Sequence, residues 1–119
     1  MANVADLAKE LNQMILQGKA LDAFEKFYAD DCIMQEPHGE PFCGKDVNRK
    51  REQEFFANVE QFFGAELLSS AVTGDSSFSE WLWDVKMKGQ PRTKMEQVSR
   101  RTWKNGKVAH ERFYYNAAH

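Results

Sequence analysis

The chain has 119 residues and a formal net charge of −2; 42 % of it is hydrophobic and 13 % aromatic, with nine Phe and three Trp. That is enough bulky apolar material for one substantial core, which excludes a disordered chain, and the charge supplies no basic field for nucleic acid. No apolar run approaches the roughly 20 residues that span a bilayer, and Cys32 and Cys43 lack the spacing of metal ligands.

In chain order, Leu7, Leu11, Met14 and Ile15 recur at helical spacing, and Gly18 suits the end of that helix. The same N-terminal segment is amphipathic and lacks a signal-peptide core, so a cytoplasmic location is expected. A second short helix is expected from about Leu21, with Phe24, Phe27 and Tyr28 on one side. A short apolar strand, Cys32-Ile33-Met34, then runs into Glu36-Pro37-His38-Gly39. The proline restricts Glu36 to extended geometry, which would hold a carboxylate at the end of a strand entering the core.

Gly44 and Asp46 prepare a third helix, with Asp46 as its N-cap and Val47, Arg51, Phe55, Val59 and Phe62 spaced along it toward Gly64. Its charged stretch from Lys45 to Glu54 reads as a solvated face. Four β-rich segments follow, near 65–73, 77–88, 92–104 and 107–116, separated by Gly74-Asp75, Gly89-Gln90-Pro91 and Asn105-Gly106. Helices first and an antiparallel meander afterwards make an α+β domain with helices on one face of a sheet.

The faces of the last two strands depend on the turn between them. A two-residue Asn105-Gly106 turn pairs Trp103 with Val108 and sets Ser99 opposite Arg112. A three-residue Lys104-Asn105-Gly106 loop pairs Ser99 with Glu111 and gathers Met95, Gln97, Ser99, Arg101 and Trp103 with Ala109, Glu111, Phe113 and Tyr115. The second register is preferred. It turns His110 away from this face, and it gives a buried Arg101 the partner it needs in Glu111.

Phe27-Tyr28-Ala29-Asp30-Asp31, Glu36-Pro37-His38-Gly39, Gly44 and Asn105-Gly106-Lys107-Val108 stand in an order that resembles the NTF2-like superfamily over nearly the whole chain. Within it, the chain is most similar to the SnoaL-like and ketosteroid isomerase-like branch, as one domain over residues 1–119. The resemblance implies a cone-shaped domain whose curved sheet wraps a long helix and leaves a pocket open at one end. It also implies a homodimer formed through the outer face of the sheet. In ketosteroid isomerase the catalytic aspartate precedes the proline of this loop, where Glu36 stands here. That enzyme's oxyanion-hole tyrosine and protonated aspartate fall on Asn12 and Ser99, a weaker pair for stabilising a dienolate.

The expected function is therefore a small-molecule pocket with a hydrophobic ligand and two open readings. In the first, Glu36 acts as the base of a proton-transfer isomerase or polyketide cyclase-like enzyme, assisted by His38. Asn12, Gln97 and Ser99 would hold the substrate's polar atoms, Phe55, Val59, Phe113 and Tyr115 the walls, and Arg101 with Glu111 a second polar constellation. In the other, the domain binds or dimerises without chemistry. No metal, organic cofactor, nucleic acid or membrane is implied.

Overall fold

The computed structural model describes residues 3–116. Its elements are α1 (Val4–Leu16), α2 (Ala20–Phe27), β1 (Tyr28–Gln35), β2 (Phe42–Cys43), α3 (Lys45–Ala57), β3 (Val59–Thr73), β4 (Ser76–Met87), β5 (Thr93–Lys104) and β6 (Lys107–Tyr114). The six strands form one curved, unclosed sheet in the order β2-β1-β6-β5-β4-β3, on which the three helices pack. Among the described residues, no helix is long and apolar enough to cross a membrane.

α1 begins where the Asn3 side chain accepts a hydrogen bond from the Asp6 amide, satisfying one of the helix's orphan donors. Its inner stripe, Ala8, Leu11 and Asn12, is buried. α2 passes into β1 without a loop: Tyr28 caps the helix in extended conformation and is also the first residue of the strand. Ala23, Phe24, Phe27, Cys32, Met34, Trp103 and Val108 fill the core between these elements.

Several details differ from the sequence reading. The sheet is mixed rather than a plain meander, because β1 runs parallel to β6 (Ile33 beside His110, Met34 beside Glu111) and carries the short β2 on its other edge. Gly44, not Asp46, is the N-cap of α3, at φ 100°, a left-handed conformation that favours glycine. α3 also stops at Ala57, so Val59 and Phe62 lie on the 15-residue β3. Their apparent helical spacing ran on past the true end because β3 follows after Asn58 alone.

Within α3 the inward stripe is shifted by one residue from the expected one. Val47 is 49 % exposed, whereas Asn48 is fully buried. The Asn48 amide donates to the carbonyls of Phe42 and Gly44, at 2.9 Å each, and its Oδ1 accepts from Arg51. This side chain therefore ties the strap after β1 to the helix that follows it.

The β5–β6 turn corrects the preferred register. Asn105 (φ 54°) and Gly106 (φ 77°) make a two-residue turn, with Trp103 paired to Val108. A bulge between Thr102 and Trp103 then shifts the ladder, so that Arg101 pairs with Glu111 and Ser99 with Phe113. One extra residue restores the parity that the turn reversed. Gln97, Ser99, Arg101, Trp103, Glu111 and Phe113 consequently share the inner face, and Val108 takes the place expected for Ala109.

Candidate functional site

α1, α2, α3 and the inner face of the sheet enclose a cavity of about 250 Å³. Leu11, Ile15, Phe24 and Met34 line one part of it; Phe55 and Phe56 of α3 and Trp83, Met95 and Phe113 of the sheet line the rest. Its polar groups are few: Glu36, Arg51, Glu52, Gln97 and Tyr115, with Tyr28, Ser99, Arg101 and Glu111 grouped on the sheet side. An apolar hollow with a few convergent polar groups is the usual form of a small-molecule site.

The sheet-side group is a closed network. Tyr28 Oη donates to Glu111 Oε1 at 2.5 Å, and Ser99 Oγ and Arg101 Nε donate to Glu111 Oε2 at 2.5 and 2.8 Å. Arg101 Nη1 donates to Asn12 Oδ1 at 2.9 Å, while Asn12 Nδ2 donates to Ser79. Arg101 and Glu111 are both buried, at 2 % exposure each. Burial, then the neighbouring Glu111 charge, pushes the Tyr28 phenol well above its ordinary value. It therefore stays a proton donor at any working pH. Burial alone would weaken the Arg101 charge, but Tyr28 and Glu111 more than offset this and raise it.

Glu36 forms a second polar group, held by α3 and the chain after β6. Arg51 Nη2 donates to Glu36 Oε1 at 2.9 Å, and Tyr115 Oη donates to Oε2 at 2.7 Å. The Arg51 guanidinium carbon lies over the Phe42 ring, 3.7 Å from its centroid, a cation–π contact that helps hold the side chain where it reaches Glu36. Burial, followed by the bond to Glu36, pushes the Tyr115 phenol up to about 12.

Glu52 stands apart from both groups. It lines the same cavity one helical turn after Asn48, yet no hydrogen bond or ion pair reaches its carboxylate among the described residues. Burial first, and then the Glu111 charge, push it up to about 7 from the ordinary 4.5, against the opposing pull of Arg51 and Arg101.

Of the residues expected at a site, Glu36, Phe55, Gln97, Ser99, Arg101, Glu111, Phe113 and Tyr115 line this cavity. Asn12 lies behind it, buried against Arg101 and Ser79. Val59 is placed on β3 beside Met87, outside the lining, because α3 ends before it. His38 sits exposed in the strap after β1, also outside the lining. The expected oxyanion partners point elsewhere: the Ser99 hydroxyl proton goes to Glu111, and the Asn12 amide to Ser79. Tyr28 and Glu52 escaped the sequence reading. Tyr28 continues the apolar spacing of α2 in the sequence, and Glu52 falls inside the charged run from Lys45 to Glu54. The readable signal for Glu52 was its place on one stripe with Asn48, Phe55 and Phe56, at helical spacing. Among the described residues, no three His, Cys, Asp or Glu side chains are grouped so as to hold a metal ion.

A family model for the SnoaL-like domain matches residues 2–115. The chain belongs to the SnoaL-like family. A similar solved structure is a Mesorhizobium loti protein described as a candidate SnoaL-like polyketide cyclase. It has a TM-score of 0.89 and 31 % identity, over 96 % of this SnoaL-like chain and all of that one. An NTF2-like protein of unknown function from Burkholderia xenovorans has a TM-score of 0.74 and 22 % identity, covering 98 % and 84 % of the two chains. A Catenulispora acidiphila protein with a ketosteroid isomerase-like fold, solved with trimethylamine, gives 0.75 and 15 % over 90 % and 85 %. The last two likenesses carry the fold alone. No curated protein matches this SnoaL-like chain.

Proposed function

We propose that this SnoaL-like domain holds a compact, largely apolar small molecule in the cavity and moves a proton on it, with Glu36 as general base. The observation that carries this reading is the geometry of Glu36, which lines an aromatic-walled cavity with one donor on each oxygen. A carboxylate offers about four acceptor sites, so Arg51 and Tyr115 orient Glu36 and leave it lone pairs with which to take a proton. Because α3 supplies one donor and the chain after β6 the other, the base is held from two sides rather than left on a free loop.

The test is solvent-deuterium incorporation next to the carbonyl of a compact aromatic ketone such as 2-tetralone, followed by NMR. Glu36→Gln is expected to slow exchange about 100-fold, the lower end of the range for general bases, with the fold intact. Equal exchange by wild type and variant, or none by wild type, would sink the assignment. One observation favours a second reading, binding without chemistry: Ser99 and Asn12 direct their protons into the protein and not toward a developing oxyanion. Ketone bound without exchange is the result that reading expects.

A cytoplasmic location and a homodimer belong to the same proposal. Supporting the dimer, Arg100 and Arg112 face each other across β5 and β6 on the side of the sheet away from Arg101, a repulsive pair. Among the described residues, Arg112 Nε is also buried without a hydrogen-bond partner. An acidic side chain of a second copy would satisfy both. Light scattering after gel filtration should give twice the chain mass; a monomer at micromolar concentration removes the proposal.

A further inference from the structure

The charges around the cavity do not balance. Glu36 is matched by Arg51 and Glu111 by Arg101, each pair within 2.9 Å. Glu52 is the carboxyl left over, and its surroundings on every packed element are already committed. Arg51 beside it on α3 binds Glu36 and Asn48, and Arg101 across on β5 binds Glu111 and Asn12. Tyr28 and Tyr115 donate to the same two carboxylates. Glu52 is half-buried, and its carboxyl oxygens keep exposure toward the hollow they line. Removing a carboxylate from bulk water among apolar walls without a partner is costly, so what fills the hollow is placed to supply that partner.

The walls narrow the class of that partner. Phe24, Phe55, Phe56, Trp83 and Phe113 present aromatic surface to the same space. Aromatic faces attract cations through their quadrupole, and a desolvated cation gains most. A small anion would meet Glu36, Glu52 and Glu111 together, with both guanidinia already engaged. The volume of about 250 Å³ lies just under the ~300–1,000 Å³ typical of ligand pockets, which calls for a compact occupant.

We infer that the cavity takes a small aromatic or aliphatic amine, or a quaternary ammonium compound, whose positive nitrogen pairs with Glu52 among the aromatic walls. This rests on the cavity being a ligand site, as proposed above, and adds the chemical class of ligand. It also separates two roles: Glu52 anchors the nitrogen, which leaves Glu36 facing the carbon skeleton of the same molecule.

The probe is benzyltrimethylammonium, with its uncharged isostere neopentylbenzene and with benzoate as controls; binding is followed by the protein's tryptophan fluorescence, to which Trp83 in the cavity wall contributes. The quaternary cation cannot titrate, so any pH dependence belongs to the protein. Binding should tighten at least tenfold from pH 5.5 to pH 8 as Glu52 ionises, and benzoate should not bind. In Glu52→Gln, checked for an unchanged melting profile, affinity should fall at least tenfold and lose that pH dependence. The wild-type pH series stands by itself should the variant fold poorly. If the isostere binds as well as the cation, or if the cation binds equally at both pH values, the assignment of charge is overturned while the ligand site stands. If neither probe binds, the amine class is overturned, and the ligand site is judged by the exchange assay.

Discussion

Arg101→Met should destabilise the protein by about 3–5 kcal/mol, the usual result of removing one partner from a buried ion pair. The reason lies in what remains. Glu111 is 2 % exposed and would keep the Tyr28 and Ser99 protons but lose the guanidinium it pairs with, while Asn12 Oδ1 would lose the closer of its two donors, Arg101 and Ser79. Glu111→Leu should cost a similar amount for the converse reason, leaving a buried guanidinium. The double variant should be no less stable than the worse single one, since an apolar pair of similar volume strands no charge. Urea denaturation of the four proteins measures the coupling. An Arg101→Met variant within about 1 kcal/mol of wild type would show that solvent enters the network and takes the place of the lost partner.

The second large effect concerns Glu52 and runs in the opposite direction. Its folded value of about 7 against an ordinary 4.5 means that the folded state holds this proton more tightly than the unfolded chain. Stability from this group is therefore fully present below about pH 4.5, falls as pH rises toward 7, and stays low above it. At about 1.4 kcal/mol for each pH unit, the loss is on the order of 3 kcal/mol. Glu52→Gln keeps the shape and removes the titration, so the variant should be more stable than wild type at pH 8. At pH 5 the gap should shrink to about 1 kcal/mol or less. Chemical denaturation at the two pH values checks this; a difference independent of pH would mean that the carboxyl is solvated in the folded protein. A residue that weakens the empty protein at neutral pH fits a group placed for a ligand rather than for the fold.

Much of the fold could be read from the chain because local chemistry specifies it. Asn105-Gly106 and Gly74-Asp75 mark hairpins through the backbone conformations they permit. Leu7, Leu11 and Met14 mark a helix by their spacing, and the strand-proline sequence around Glu36 marks the start of a strap. The end of α3 was less legible. Val59 and Phe62 continue a helical spacing by coincidence, and only pairing with β4 turns that stretch into a strand. The parallel contact of β1 with β6 has no local signature at all, because it joins segments about 80 residues apart.

The site divides along the same line. The residue types, the acid before Pro37 and the presence of Arg101 and Glu111 two strand positions from their neighbours were determined by the sequence. Which of these meet was decided in three dimensions. The Thr102–Trp103 bulge returns Ser99, Arg101, Glu111 and Phe113 to one face after a turn that alone would have separated them. Helix α3, rotated by one residue from its apparent stripe, brings Arg51 to Glu36 and leaves Glu52 unpaired in the cavity. Spacing along a chain reports which side of its own element a residue occupies. Charge balance is a sum over elements, and it exists only after they have packed.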